Sequence, residues 1–183
     1  MKSFSKPFSR EYFMKKKEKI KESYNTTADF YNSRYRNIQY EKYARMLSGI
    51  KLNGVILDLG SGTGMLSEFL DKEIICVDFS INMLKKSENK YKILGDAEKL
   101  PFKSSVFDFV FSFTLFQNLS GYKMFKEVKR ILKLDSLFVL TVLRKKYDEN
   151  VRKELEKDFF ILKEVDCGED IGFICRGLWD RII

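Results

Sequence analysis

The segment Val55-Ile-Leu-Asp-Leu-Gly-Ser-Gly-Thr-Gly64 holds the residues best spaced for chemistry. An apolar run leads into three alternate glycines, Gly60, Gly62 and Gly64, with Ser61 between the first two. Without a Cβ the backbone can turn sharply and approach a ligand closely. A helix start beyond the loop adds unpaired N–H groups. The combination reads as a phosphate or cofactor cradle at the carboxyl end of a first strand. The dinucleotide form G-x-G-x-x-G needs glycine where Met65 stands, and a P-loop needs a lysine after the glycines. Asp58, two residues before the loop, would repel a pyrophosphate but suits the ammonium and sulfonium charges of S-adenosylmethionine. A glycine turn of purely structural role is the alternative. Asp78, in Ile75-Cys-Val-Asp-Phe79, ends the next strand candidate, where an acid can accept hydrogen bonds from both ribose hydroxyls. Phe79 is placed to pack on an adenine.

These residues need a scaffold, and the pattern around them supplies one. Short apolar runs at Val55–Leu59, Ile74–Val77, Tyr91–Leu94, Phe107–Phe111 and Leu137–Leu143 predict strands, the first four as strands buried on both faces. Helices are predicted near 63–71, 81–88, 121–133 and 147–157; Tyr122, Phe125, Val128 and Leu132 give the third its apolar stripe. Alternating strand and helix implies right-handed βαβ units and a parallel sheet covered on both faces. Phe159–Val165 and Ile171–Arg176, joined by a turn through Gly168, predict a closing antiparallel hairpin. Before position 55 the chain predicts two helices, about 11–23 and 27–49, from the spacing of Tyr12, Phe13, Ile20, Phe30, Tyr31, Tyr40, Tyr43 and Leu47. The expected fold is α/β, a doubly wound, Rossmann-like, seven-stranded and mostly parallel sheet with N-terminal helices. It forms one domain over 1–183: a basic helical cap at 1–52 and a cofactor-binding core at 53–183.

The totals exclude much. With 183 residues the core needs no disulfide staple. Cys76, Cys167 and Cys175 form no metal-like spacing and read as reduced thiols. The chain has no histidine, so Ser-His-Asp hydrolysis and His-ligated zinc are out, and no metal site is expected. No apolar stretch reaches the length of a membrane span, which predicts a soluble, cytoplasmic protein. The net charge of +8 is confined to residues 1–52, with 13 Lys/Arg against 5 Asp/Glu; the remainder is balanced. Such asymmetry fits a polyanion such as RNA, met by Lys15, Lys16, Lys17, Lys19 and Lys21, or a basic helix that serves solubility alone.

Leu57-Asp-Leu-Gly-Ser-Gly-Thr-Gly64 and Val77-Asp78 resemble the first two motifs of the class I S-adenosylmethionine-dependent methyltransferases, nearest the ubiquinone/menaquinone and type 11 branch. Gly95-Asp-Ala-Glu-Lys-Leu-Pro-Phe102, Phe107-Asp-Phe-Val-Phe-Ser-Phe113 and Val128-Lys-Arg-Ile-Leu-Lys133 resemble the later ones. The resemblance covers about 24–143. It implies S-adenosylmethionine as cofactor, with Asp96 bonding the adenine amino group, the Ala97 backbone recognising the ring and Phe113 lying beside the transferred methyl. Tyr24 and Tyr31, in a Tyr-Asn…Ala…Tyr-Asn pattern, loosely resemble a helix that covers the methionine end.

Methyl transfer is an in-line displacement on an activated carbon, so binding both reactants in line can supply most of the acceleration. Gln117 and Asn118, just after the fourth strand, are candidates to face the acceptor, or else are loop or cap residues. No Asn-Pro-Pro-Tyr-like tetrapeptide, Pro-Cys pair, paired glutamates in 112–120 or C-x-x-x-C-x-x-C occurs. Exocyclic adenine, cytosine C5, arginine and radical chemistries are disfavoured accordingly. With little chain inserted after the fourth and fifth strands, the site is expected to be open beside a basic rim and the acceptor to be tRNA or rRNA. The alternatives are a small-molecule acceptor of quinone, lipid or amino-acid type, with Tyr12, Phe13, Phe30 and Tyr35 lining a pocket, or a cofactor-binding subunit that needs an activating protein partner. Trp179 reads as core or interface.

Overall fold

The computed structural model describes residues 10–119 and 121–178. Trp179 lies outside the described residues, as do the side chains of Tyr12, Phe13 and Lys16. Seven strands form one sheet: β1 (Ile56–Leu59), β2 (Ile75–Asp78), β3 (Lys92–Leu94), β4 (Phe107–Phe113), β5 (Leu132–Leu143), β6 (Phe159–Cys167) and β7 (Asp170–Gly177). Their order is β3-β2-β1-β4-β5-β7-β6. The first five run parallel, and β7 is antiparallel to both β5 and β6. The expected fold and hairpin are therefore present. Chain direction across the sheet reverses between β1 and β4, so a crevice opens beyond their carboxyl ends.

Side-chain alternation explains why the central strands read as unbroken apolar runs. Leu57, Leu59, Phe107, Val110, Phe138 and Leu140 pack to one side, with Met124, Phe125 and Val128 of α4 (Lys123–Ile131) and Val151 and Leu155 of α5 (Glu149–Glu156). Ile56, Phe109, Phe111 and Val139 pack to the other, against Met65 and Leu66 of α2 (Met65–Leu70) and Tyr43 and Met46 of the long N-terminal helix. α3 (Ile81–Lys86) follows β2, and its N-cap Ser80 accepts from the Met83 N–H at 3.2 Å.

The N-terminal segment corrects the sequence reading. Instead of two helices there is one, α1, running unbroken from Arg10 to Leu47. No proline or glycine falls within it. The weak helix formers at its middle are accommodated, because Thr26 and Thr27 turn their hydroxyls back onto the Glu22 and Ser23 carbonyls at 2.7 and 2.9 Å. Gly49, at φ 79°, then lets the chain leave the helix in the left-handed region.

At about 1.5 Å per residue α1 is long enough to cross the whole carboxyl edge of the sheet. It is fastened along its length. Asn25 accepts from Ser80 Oγ at 2.6 Å, Asn32 accepts from Thr63, Asp29 pairs with Lys86, and Arg36 pairs with Glu68. Further on, Tyr40 and Tyr43 pack edge-on against Phe69.

Phe138, wholly buried between Phe125 and Phe159, tests this packing. Phe138→Ala is expected to cost about 3–5 kcal/mol in urea unfolding. Phe160→Ala, on the exposed side of the edge strand, should stay within about 0.5 kcal/mol.

Candidate functional site

The loop after β1 is shaped by the strand beside it. Gly60 and Ser61 donate their N–H groups to the Val77 carbonyl at 2.8 and 3.1 Å, folding the loop back over the end of β2. Gly60 adopts φ 80°, and a Cβ there would sit 2.9 Å from Leu115. Gly64, at φ 83°, would bring a Cβ to 2.2 Å from Ser87 Oγ. Glycine is thus required at both points.

Asp78 receives the Gly62 N–H at 2.9 Å on one oxygen and the Ser80 N–H at 2.8 Å on the other. The Phe79 N–H also bonds the carboxylate, which leaves lone-pair capacity for a ligand hydroxyl. Burial nevertheless raises the Asp78 pKa, against the lowering effect of those backbone donors.

Asp58 is more extreme. It is the last residue but one of a strand buried on both faces, is only 4% exposed, and has no hydrogen-bond partner among the described residues. Burial, with the charge of Asp78 added, pushes its pKa up to about 8. A buried carboxylate lacking a counter-charge is expensive. The site therefore relieves the cost by protonation, or by accepting a cation.

Two small cavities, each of about 30 Å³, open at this edge, and Asp78 lines the second of them. The first is lined by Val77, Phe79, Asp96, Ala97, Leu115 and Lys17, the second by Tyr24, Tyr31, Gly62, Asp78, Phe113 and Thr114. Phe79, Gly60, Leu115 and Asn118 border both. The structure thus gathers Tyr31, Gly60, Gly62, Asp78, Phe79, Asp96, Ala97, Phe113 and Asn118 around one cleft. Asp58, Ser61 and Gly64 belong to the wall and turn behind it. Of the two acceptor-facing candidates, Asn118 borders the cleft and donates to the Tyr24 hydroxyl at 2.9 Å, whereas Gln117 is turned onto the Thr114 carbonyl.

The roof over the cleft is α1. Tyr24 and Phe79 meet edge-on at 6.2 Å, Tyr24 and Tyr31 lie 6.2 Å apart, and burial raises the pKa of both tyrosines. Lys17 does not join a polar outer face. It reaches into the cleft to bond Asp96 at 2.8 Å and to pair with Glu98.

Two further features escaped the sequence reading. Lys42 of α1 and Asp170 of β7 form a buried ion pair at 2.9 Å, 4% and 1% exposed. Thr114, which it contacts, has φ 54°, a strained conformation for a β-branched residue. Their one sequence signal is Lys42 standing among buried residues of the helix, next to Tyr43 and four before Met46.

Comparison with known proteins bears on this arrangement. A methyltransferase-domain family matches residues 57–140. A malonyl-[acyl-carrier protein] O-methyltransferase of Geobacter sulfurreducens is 29% identical over 160 residues, covering 78% of this chain and 58% of that protein. A demethylmenaquinone methyltransferase of Staphylococcus carnosus is 31% identical over 137 residues, covering 64% and 57%. The chain spans between half and three-fifths of the length of the first curated relatives it matches. In fold it is similar to a chain solved in complex with the Trm112 methyltransferase activator of Haloferax volcanii. That likeness has a TM-score of 0.71 at 16% identity, over 85% of this chain and 98% of the other.

These relatives correct the expectation of an RNA acceptor, because their names specify an acyl-carrier conjugate and a quinone precursor. The structure supplies a physical reason as well. Lys17, Arg36 and Lys42 of the basic segment are each committed to an acid on the core. The roofed cleft is likewise not the open site expected. No described helix is long and apolar enough to cross a membrane.

Asp58 makes a pH test possible. Its raised folded-state pKa means that ionisation opposes folding, so its effect is absent below about pH 4 and grows until about pH 8. In urea unfolding without ligand, Asp58→Asn should gain on the wild type across that window, by about 1 kcal/mol per pH unit. A difference independent of pH would show that Asp58 is ionised throughout.

Proposed function

The chain belongs to the class I S-adenosylmethionine-dependent methyltransferases, and we propose that it methylates a small-molecule acceptor beneath α1. The observation that carries this reading is Asp58, a buried carboxyl with no hydrogen-bond partner among the described residues, two residues before a glycine loop. The acids and the loop fit S-adenosylmethionine and fit a dinucleotide poorly, since the pyrophosphate would have to lie against Asp58. When bound, the cofactor supplies a methyl group already activated on a sulfonium.

The chain's own residues then have separable tasks. Asp58 balances the ligand's positive charge, and Asp78 holds the ribose hydroxyls with its remaining lone pairs. Phe79, Leu115 and Ala97 give the adenine apolar walls. Asp96, freed from Lys17, takes the exocyclic amine. Tyr24 and Tyr31 close the methionine end. In this reading residues 1–52 act as the cap and 53–183 as the core.

The cavities hold no more than a few waters each. Loading therefore requires the N-terminal half of α1 to lift, breaking the Lys17–Asp96 and Asn118–Tyr24 contacts. A roof that closes on its ligand excludes water and suits a compact acceptor. It leaves little way in for a polymer. This supports the quinone, lipid or amino-acid class over a nucleic acid.

The test is transfer of label from S-adenosylmethionine carrying a tritiated methyl group into a small-molecule extract. Label should appear in the low-mass fraction, and Asp78→Ala should weaken cofactor binding about 100-fold. Absence of cofactor binding would overturn the proposal. Binding without turnover by the isolated chain would point instead to an activating protein partner, of the kind that accompanies the Haloferax volcanii neighbour.

A further inference from the structure

Beside the methionine end of the cleft lies a polar cluster that cofactor binding leaves unused. Thr114 follows the end of β4 and lines the second cavity with Phe113 and Tyr31. Behind it stand Lys42 of α1, Thr141 of β5 and Asp170 at the start of β7. Thr114 Oγ lies 2.6 Å from Lys42 Nζ and 2.8 Å from Asp170 Oδ2. Asp170 Oδ2 also accepts from Thr141 Oγ at 2.7 Å and from Lys42 at 2.9 Å. The other Asp170 oxygen is buried and has no hydrogen-bond partner among the described residues.

Donor and acceptor counting fixes where the protons lie. An ammonium has no lone pair, so Lys42 must donate to Thr114. An ionised carboxylate cannot donate, so the Thr114 hydroxyl proton must point at Asp170. One lone pair on Thr114 Oγ is left that no described protein group uses, and Thr114 lines the cavity. The exposed valence of Thr114 is thus an acceptor. Its backbone is held as tightly, with its N–H on Thr141 Oγ at 3.0 Å and its carbonyl receiving Gln117.

We propose that Thr114 accepts the hydrogen bond of the substrate's nucleophilic O–H, with Asp170 as the positioning residue that keeps the threonine proton turned away. This rests on the methyltransferase reading above and narrows its acceptor to a protonated hydroxyl. As the acceptor oxygen takes up the methyl group, its proton passes to Thr114 Oγ and the threonine's own proton to Asp170. The sulfonium's positive charge is cancelled by the carboxylate's negative one, leaving a neutral ether and S-adenosylhomocysteine. The relay needs a hydroxyl that gives up its proton readily, which matches one of phenol or enol type rather than an aliphatic alcohol. The protonated acid next to Lys42 afterwards returns its proton to water.

The probe is 4-nitrophenol near pH 6, where it is protonated, titrated into protein saturated with S-adenosylhomocysteine. 4-Nitroanisole, which lacks the donor, and 4-nitrobenzoate are the comparisons. The phenol should bind saturably and at least about tenfold more tightly than either, because the anisole leaves Thr114 unpaired. Thr114→Val should abolish that preference, and Thr114→Ser should keep it. Lys42→Met combined with Asp170→Asn, which strands no buried charge, should also lose it, since the threonine hydroxyl can then turn to donate. Equal binding of the three probes, no saturable binding of the phenol, or an undiminished preference in Thr114→Val or in the double variant would overturn the inference. Failure of S-adenosylhomocysteine to bind would instead overturn the function on which it rests.

Discussion

Two carboxyl groups, Asp58 and Asp78, are buried along one edge of the sheet, and the architecture of the cleft answers to them. They lie at or next to the carboxyl ends of adjacent parallel strands, with Asp58 in register with Cys76 two residues before Asp78. An isolated carboxylate in such a place costs several kcal/mol. The protein answers differently at each. Asp78 is stabilised by the N–H groups of Gly62 and Ser80. Asp58 has nothing comparable, and its pKa rises to about 8. In the function proposed above, a cationic ligand draws Asp58 into its charged form. The glycines between them answer to the same crowding, because a Cβ at Gly60 would meet Leu115 and one at Gly64 would meet Ser87.

The roof follows next. A cleft that strengthens electrostatic contacts must keep water out, and here the N-terminal half of α1 lies over it, with Lys17 at Asp96, Tyr24 at Asn118 and Asn25 at Ser80. Its ties are polar at the loop side and apolar farther along. Asn25 and Asn32 bond the residues after β2 and within the glycine loop, while Tyr43 packs on Phe113 at 4.7 Å. Toward its far end, the buried Lys42–Asp170 pair anchors α1 to β7 and the end of β4. Buried pairs add little net stability but strongly penalise misplacement, so this one sets position more than it adds strength.

Much of the core was legible in the sequence because local rules decide it. Apolar runs such as Phe107–Phe111 can only be strands covered on both faces. The order of strand, Asp58, glycines and Asp78 has few physical uses. The N-terminal segment was not legible to the same degree. Its middle, Asn25-Thr26-Thr27, looks like a break by propensity, yet tertiary anchoring of Asn25 to α3 carries the helix through. Lys17 looked like one of a solvated run, and its commitment to Asp96 depends on a partner 79 residues away. The Lys42–Asp170 pair spans 128 residues. Such separations have no periodicity to betray them. Of the lysines expected to meet RNA, Lys17 is spent on the protein's own Asp96 and Glu98.

The central claim is that the cleft is built to receive a cation at Asp58, and calorimetric titration with S-adenosylmethionine tests it most directly. It is run near pH 7 in two buffers of different ionisation enthalpy. Asp58 is mostly protonated there before binding, so binding should release close to one proton to the buffer, and Asp58→Asn should bind weakly and release none. Binding with no proton release in the wild type, or binding of NAD in preference, would contradict the account.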